Sequence, residues 1–192
     1  MLELRYYQRD SIDAIYRYWA NGGGNGLIVL PTGAGKAAVI AKIIEELLAS
    51  YPDMRILNVT HSASLVEQNF KEYLGFCPFG PAGIFSASLN RRDAKAQVLF
   101  CGIQSVWNKV DKLGQIDLVI VDEAHAISRN ANTQYGKFFR DVRVRNPDSR
   151  TMGLTATDYR MDSGMLTDSM DSDDEVDADG NPVRFKLFDD VV

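Results

Sequence analysis

Apolar residues follow two rhythms along this chain. Over residues 9–20, Ile12, Ile15, Tyr16 and Trp19 recur at i, i+3, i+4 and i+7, one face of an amphipathic helix. At Gly26-Leu27-Ile28-Val29-Leu30 that rhythm gives way to an unbroken apolar run, which predicts a strand buried on both faces. Asn21-Gly22-Gly23-Gly24-Asn25 is the flexible turn between them. The alternation then repeats. Ile40, Ile43, Ile44 and Leu47 stripe a helix that ends near Tyr51-Pro52-Asp53. Residues 55–60 read as a strand, and Leu65, Val66, Asn69, Phe70 and Tyr73 mark the next helix. Strand, turn and helix in succession predict βαβ units, and therefore the α/β class with a mostly parallel sheet and helices on both faces.

The second half is less regular. Pro78, Gly80, Pro81 and Gly83 make 75–96 loop-rich, with a short strand at Ile84-Phe85 and a basic stretch Asn90-Arg91-Arg92-Asp93-Ala94-Lys95 that reads as a solvated face or a phosphate contact. Residues 97–101 predict a strand, Gly102-Ile103-Gln104-Ser105 a turn, and Val106, Trp107 and Val110 a helix. Ile116 to Val121 is another apolar strand, 132–143 a helix with Tyr135, Phe138, Phe139 and Val142 inward, and 150–155 a strand. Residues 161–182 are rich in Asp and Ser and predict a flexible acidic insertion. Apolar character resumes at Phe185-Lys186-Leu187-Phe188, which suits a final strand within 183–192.

Composition changes this picture in one respect. The net charge of −5 is misleading until it is split, because residues 158–180 hold nine acidic residues and one Arg, a net of −8. The remainder carries 20 basic and 17 acidic residues, a net of +3, and a mildly basic body is compatible with a nucleic-acid partner. Cys77 and Cys101 lack paired spacing and are expected to be reduced thiols with no disulfide. No basic-then-apolar leader and no apolar run of about 20 residues is present, so a cytoplasmic protein without membrane attachment is expected.

In parallel sheets, ligands gather where strands end at the carboxyl edge, and the polar residues of this chain concentrate there. After the first strand come Pro31-Thr32-Gly33-Ala34-Gly35-Lys36, with a helix starting at Lys36. Glycines let backbone N–H groups approach phosphates, the helix N-terminus adds donors, and Lys36 supplies a point charge. The usual motif places Ser or Thr at the position of Ala37, where a hydroxyl would bind Mg²⁺. After the Ile116–Val121 strand come Asp122 and Glu123, with His125 two residues on. Carboxylates closing an apolar strand are costly unless they face a metal or a partner. Asp122 is placed to hold Mg²⁺ and Glu123 to polarise a water. Thr60, His61 and Ser62 end one strand and Thr155, Ala156 and Thr157 another. His61 alone reads as a capping or surface histidine before a catalytic one. Gln8, near the amino terminus, could pair with adenine, and Tyr7 could stack on the base.

Taken together, these residues resemble the first RecA-like domain of superfamily 2 helicases of the DEAH type, over roughly residues 2–160, with wording similar to the RadD-type repair helicases of bacteria and phage. Leu4-Arg5-x-Tyr7-Gln8 resembles the adenine-reading segment, and Pro31 to Lys36 the phosphate loop. Thr60-His61-x-x-x-Leu65-Val66-x-Gln68-Asn69 and Gln104-Ser105-Val106 resemble the motifs that touch nucleic acid. Asp122-Glu123-Ala124-His125 and Gly153-Leu154-Thr155-Ala156-Thr157 resemble the catalytic and coupling motifs. The resemblance implies ATP and Mg²⁺ as cofactors, Arg5, Tyr7, Gln8 and residues 31–37 around the nucleotide, Lys36, Asp122, Glu123 and His125 as catalytic residues, and DNA before RNA as partner. It also implies Thr60, His61, Ser62, Gln104 and Ser105 on nucleic acid, and Thr155 to Thr157 coupling the two sites.

The chain departs from the pattern at Ala37 and at Asp158, where Pro is usual, and it stops at Val192 near where a second RecA-like domain, in cis or trans, would supply an arginine finger. Weak hydrolysis by this chain alone is therefore expected. Two rivals are a catalytically degenerate, nucleotide-responsive binding module and a P-loop kinase acting on a small molecule.

Overall fold

The computed structural model describes residues 3–158, 164–176 and 182–192. The apolar runs up to residue 155 become strands of one sheet, and the amphipathic stretches cover its two faces. In chain order the elements are α1 (Tyr6–Ala20), β1 (Gly26–Val29), α2 (Lys36–Ser50), β2 (Ile56–Thr60), α3 (Ala63–Phe76), β3 (Ala82–Ser86) and β4 (Arg91–Arg92). There follow β5 (Val98–Gly102), α4 (Ile103–Val106), α5 (Val110–Leu113), β6 (Leu118–Asp122), a 3₁₀ turn at Ala124–Ala126, α6 (Gln134–Arg145) and β7 (Arg150–Thr155). The chain closes with β8 (Met170–Val176), β9 (Pro182–Phe185) and β10 (Asp190–Val191).

The main sheet has eight strands in the order β10-β1-β7-β6-β2-β5-β3-β4, parallel throughout except for the antiparallel β3–β4 edge. Its strands read as continuous apolar runs because both faces are buried, yet the period of two persists within them. In β6, Val119 and Val121 pack with α4, α5 and α6, whereas Leu118 and Ile120 pack with α1, α2 and α3. Asp122 follows in the same alternation and so faces the α3 side. Phe100 anchors that side, with its ring centroid 5.6 Å from Tyr73 and 5.8 Å from Phe70, pairs worth about 0.5–1.5 kcal/mol each beyond their burial.

Several expectations shift. The first helix starts at Tyr6, three residues early, because Gln8 Oε1 accepts the Arg5 N–H at 2.8 Å and closes the first turn. Residues 103–105, expected within a turn, instead join Val106 in the short helix α4, which buries Ile103 and Val106 together. The terminal strand also divides differently. Residues 182–185 pair antiparallel with β8, while β10 joins the main sheet beside β1. Leu187 and Phe188 lie between them, buried on the sheet. Gly153 permits this, because a Cβ there would lie 2.6 Å from the Phe188 ring. Within the expected flexible insertion, residues 161–163 and 177–181 lie outside the described residues, and 170–176 form β8. Cys77 and Cys101 are free thiols, and burial pushes the Cys101 thiol up. Among the described residues no helix is long and apolar enough to cross a membrane.

Candidate functional site

The β1–α2 turn forms a cradle. Gly33 and Gly35 adopt φ of +78° and +79°, the left-handed region that side chains disfavour. The N–H groups of Gly33, Gly35, Lys36 and Ala37 find no acceptor among the described residues and stand at the N-terminus of a fifteen-residue helix. Residues at the start of α1 brace the turn from behind. Gln8 Nε2 donates to Ala34 O at 2.7 Å, Tyr7 Oη donates to the same carbonyl at 3.3 Å, and Arg5 Nη1 donates to Tyr7 Oη at 2.9 Å. A Cβ on Gly35 would come within 2.5 Å of Gln8 Nε2. Both ends of the Gln8 amide are thus engaged by backbone, and the side chain is buried.

Across the cradle stands the end of β6. Lys36 Nζ, buried, lies 3.2 Å from Glu123 Oε1. Glu123 is itself in the left-handed region at φ +55°, a conformation costing a non-glycine residue on the order of 1 kcal/mol, and this turns its carboxylate toward Lys36. Its other oxygen is 3.3 Å from His125 Nδ1, which is also 3.1 Å from Thr155 Oγ1. His125 Nδ1 is thus within reach of both the Glu123 carboxylate and the Thr155 hydroxyl, and which of Nδ1 and Thr155 Oγ1 donates depends on the imidazole tautomer. Thr155 Oγ1 accepts in addition from the Thr157 N–H at 3.3 Å. Lysine, glutamate, histidine and threonine from three adjacent strand ends therefore form one chain of contacts.

Asp122 is more deeply placed, 3 % exposed. Oδ2 accepts from Asn69 Nδ2 at 2.9 Å, and Oδ1 accepts from the Glu123 N–H at 3.0 Å. Burial pushes its carboxyl above the ordinary range; the neighbouring Glu123 charge adds to this, and the Asn69 bond and Lys36 oppose it. Asn69 Nδ2 also donates to Asn58 Oδ1 at 3.1 Å, and Asn58 Nδ2 donates to Ile120 O at 3.4 Å. Asn69 Oδ1 has no hydrogen-bond partner among the described residues. This buried amide pair was missed as part of the site, although the sequence signals it: Asn58 interrupts the apolar run Ile56-Leu57-x-Val59, and Asn69 sits on the apolar stripe of α3.

The structure does not bring every expected residue to the surface. Thr60 is fully buried and its hydroxyl donates to Ser62 O at 3.0 Å. Ser105 is buried and its Oγ accepts the Ala87 N–H at 2.8 Å. Ser62 Oγ caps α3 through the Leu65 N–H at 3.3 Å. His61 and Gln104 are exposed, and Gln104 Nε2 donates to His61 O at 2.6 Å. Pro31 and Thr32 are exposed beside the cradle, while Ala37, Ala156 and Thr157 are half-buried.

The family model of the type III restriction enzyme res subunit matches residues 1–160. The chain is 29% identical over 165 residues to the DNA 3'-5' translocase XPB2 of Sulfurisphaera tokodaii, covering 84% of this chain and 32% of the relative. It superposes on the UvsW helicase of bacteriophage T4 with a TM-score of 0.63 at 19% identity, over 82% of this chain and 54% of that one. On the Sulfolobus solfataricus SWI2/SNF2 ATPase core solved with dsDNA the TM-score is 0.62 at 18% identity, over 81% and 32% respectively. These likenesses establish the fold as the RecA-like domain of superfamily 2 helicases. The chain spans about a third or less of the length of the curated relatives it matches.

Proposed function

The chain belongs to the type III restriction enzyme res-subunit family, and from that premise we propose that it is the ATP-binding domain of a nucleic-acid-dependent ATPase whose complete form translocates on or unwinds DNA. The observation that carries this reading is the Lys36–Glu123 pair, 3.2 Å apart across a turn whose Gly33, Gly35 and Lys36 N–H groups have no acceptor among the described residues. A buried lysine aimed into an anion-shaped turn gains most by exchanging a carboxylate for phosphates.

In this reading the cradle N–H groups and Lys36 bind the phosphates, and Glu123, released from Lys36, orients the attacking water. His125 holds Glu123 in place and relays its position to Thr155, Ala156 and Thr157. Gln8, Tyr7 and Arg5 brace the cradle and border the adenine. Asp122 is the residue that would hold Mg²⁺, which suits an ion that takes one or two protein carboxylates alongside substrate phosphates. Mg²⁺, when bound, neutralises charge on the transferring phosphoryl group. Ala37 offers no hydroxyl to that ion, and this is the one site position whose chemistry does not fit.

Exposed His61, Gln104 and the backbone around Ser62 and Ser105 form the nucleic-acid surface, with Thr60 and Ser105 shaping it from beneath. DNA as partner is supported by a relative named a DNA translocase and a neighbour solved with dsDNA. Residues 1–160 constitute the catalytic domain, the acidic stretch 161–182 is an insertion, and a second RecA-like domain completes the engine. The DEAH type, kinship with RadD-type repair helicases and a cytoplasmic location belong to the same proposal. Likeness to helicases and translocases favours this enzyme over a degenerate binding module.

Calorimetric ATP titration with and without Mg²⁺ tests it. Lys36→Ala should weaken binding about 10- to 100-fold, the value of a charge-assisted contact, and Ala37→Thr should add a Mg²⁺-dependent gain. Wild-type chain that binds no ATP overturns the reading.

A further inference from the structure

Beyond the strand ends already assigned, the sheet edge carries three cations arranged in an unusual way. The Arg92 guanidinium lies 5.5 Å from the Phe85 ring centroid and Lys109 Nζ lies 5.6 Å from the same ring. Lys137 Nζ lies 5.7 Å from the Trp107 ring. Arg92 sits directly across the β3–β4 ladder from Phe85, Trp107 and Lys109 follow α4, and Lys137 is one turn into α6. Among the described residues none of the three cations has a carboxylate within ion-pair distance. Neighbouring Arg91 differs, because Asp93 Oδ2 neutralises it at 2.5 Å. Arg92 and Lys109 are held instead by carbonyls, Arg92 Nη1 donating to Arg91 O at 2.9 Å and Lys109 Nζ donating to Ser105 O at 3.0 Å.

Position strengthens the pattern. The sheet order β2-β5-β3-β4 places in succession His61 and Ser62 after β2, Gln104 and Ser105 after β5, Phe85 on β3 and Arg92 on β4. Side-chain bonds stitch these strand ends together, Gln104 to His61 and Ser105 to Ala87. Three strand spacings amount to about 14 Å, the rise of roughly four phosphates along one strand of a duplex. Cations ordered on aromatic faces lose less rotamer freedom when they bind, and cations without carboxylates keep their full charge for an anion.

We propose that Arg92 and Lys109 on Phe85, continued by Lys137 on Trp107, form a clamp for the phosphodiester backbone that extends the nucleic-acid track from Gln104 to the β4 edge. This inference rests on the nucleic-acid surface proposed above. The clamp reads charge and spacing, not sequence.

Fluorescence anisotropy of the whole chain with a labelled DNA duplex, titrated from 50 to 200 mM salt, tests it. Each phosphate contact contributes about 0.9 to the slope of log K against log salt. Arg92→Gln combined with Lys109→Gln should flatten the slope by about 1.8, so that the gap from wild type shrinks roughly tenfold across that range. Lys42→Gln, on the opposite face and paired with Glu45, should leave the slope alone. The conservative pair Arg92→Lys and Lys109→Arg should retain it, which separates charge from packing. ATP binding should be unchanged in all variants. Wild-type binding with an unaltered slope in the double Gln variant overturns the clamp alone. Absence of wild-type binding overturns the clamp together with the nucleic-acid reading.

Discussion

The two edges of the sheet use the same kinds of polar residue for opposite ends. At the amino edge, side chains satisfy backbone. Asp117 Oδ2 accepts the Arg55 N–H at 2.7 Å, Asn146 Oδ1 the Ile116 N–H at 2.9 Å, Asn25 Oδ1 the Thr151 N–H at 2.7 Å, and Asp189 Oδ2 the Asn25 N–H at 2.7 Å. Each ties a strand start to the neighbouring chain. At the carboxyl edge, side chains meet one another: Lys36 with Glu123, Glu123 with His125, His125 with Thr155, Asp122 with Asn69. Backbone there is strained and leaves N–H groups open. The amino edge also carries open clefts of about 450 and 1280 Å³, beside Asp117 and Asp148, so a sizeable cleft does not by itself mark the candidate site. Strain and unspent donors, more than volume, set the candidate site's edge apart.

The contrast can be tested by breaking one contact at a time. Asn69→Ala should have the largest effect, because it strips the donor from buried Asp122 and from Asn58 together. About 3 kcal/mol of stability should be lost in urea unfolding, and nucleotide affinity should fall with it. Asp117→Ala, at the other edge, should cost about 1–2 kcal/mol through the orphaned Arg55 N–H while leaving nucleotide affinity as it was. Equal losses of affinity in the two variants would erase the distinction between the edges. The smallest effect concerns pH. Burial raises the Asp122 carboxyl above its ordinary value, so the folded chain holds that proton more tightly than the unfolded chain does. Ionisation of Asp122 therefore costs stability as pH rises from about 4. Over pH 4 to 7 the wild type should lose stability relative to Asp122→Asn, and a difference that stays constant with pH would count against burial as the cause.

Much of this candidate site is legible in the sequence. Gly33, Gly35 and Lys36 mark a candidate phosphate loop because few other functions need glycines and a lysine between a buried strand and a helix. Asp122 and Glu123 stand out because an apolar strand that ends in carboxylates must face a ligand or a partner. Gln8 was legible as a site residue, but its local role was not, since nothing nearby in sequence shows that its amide spans Arg5 and Ala34, 26 positions away. Thr60 and Ser105 show the converse limit. Their motif positions suggest surface contacts, while strand alternation and a neighbouring loop turn their hydroxyls inward.

By itself, the amino-acid sequence determined the strand and helix succession, the parallel sheet and the location of the chemistry at strand ends, because hydrophobic period and turn residues are local properties. The tertiary structure alone decided which strand ends are neighbours, and hence that Lys36 meets Glu123 and that Asn69 reaches Asp122 across 53 positions. It also decided that β10 borders β1 while 182–185 pair with β8. Those outcomes depend on strand order and on which face each side chain takes, quantities that packing settles and that no window of sequence contains.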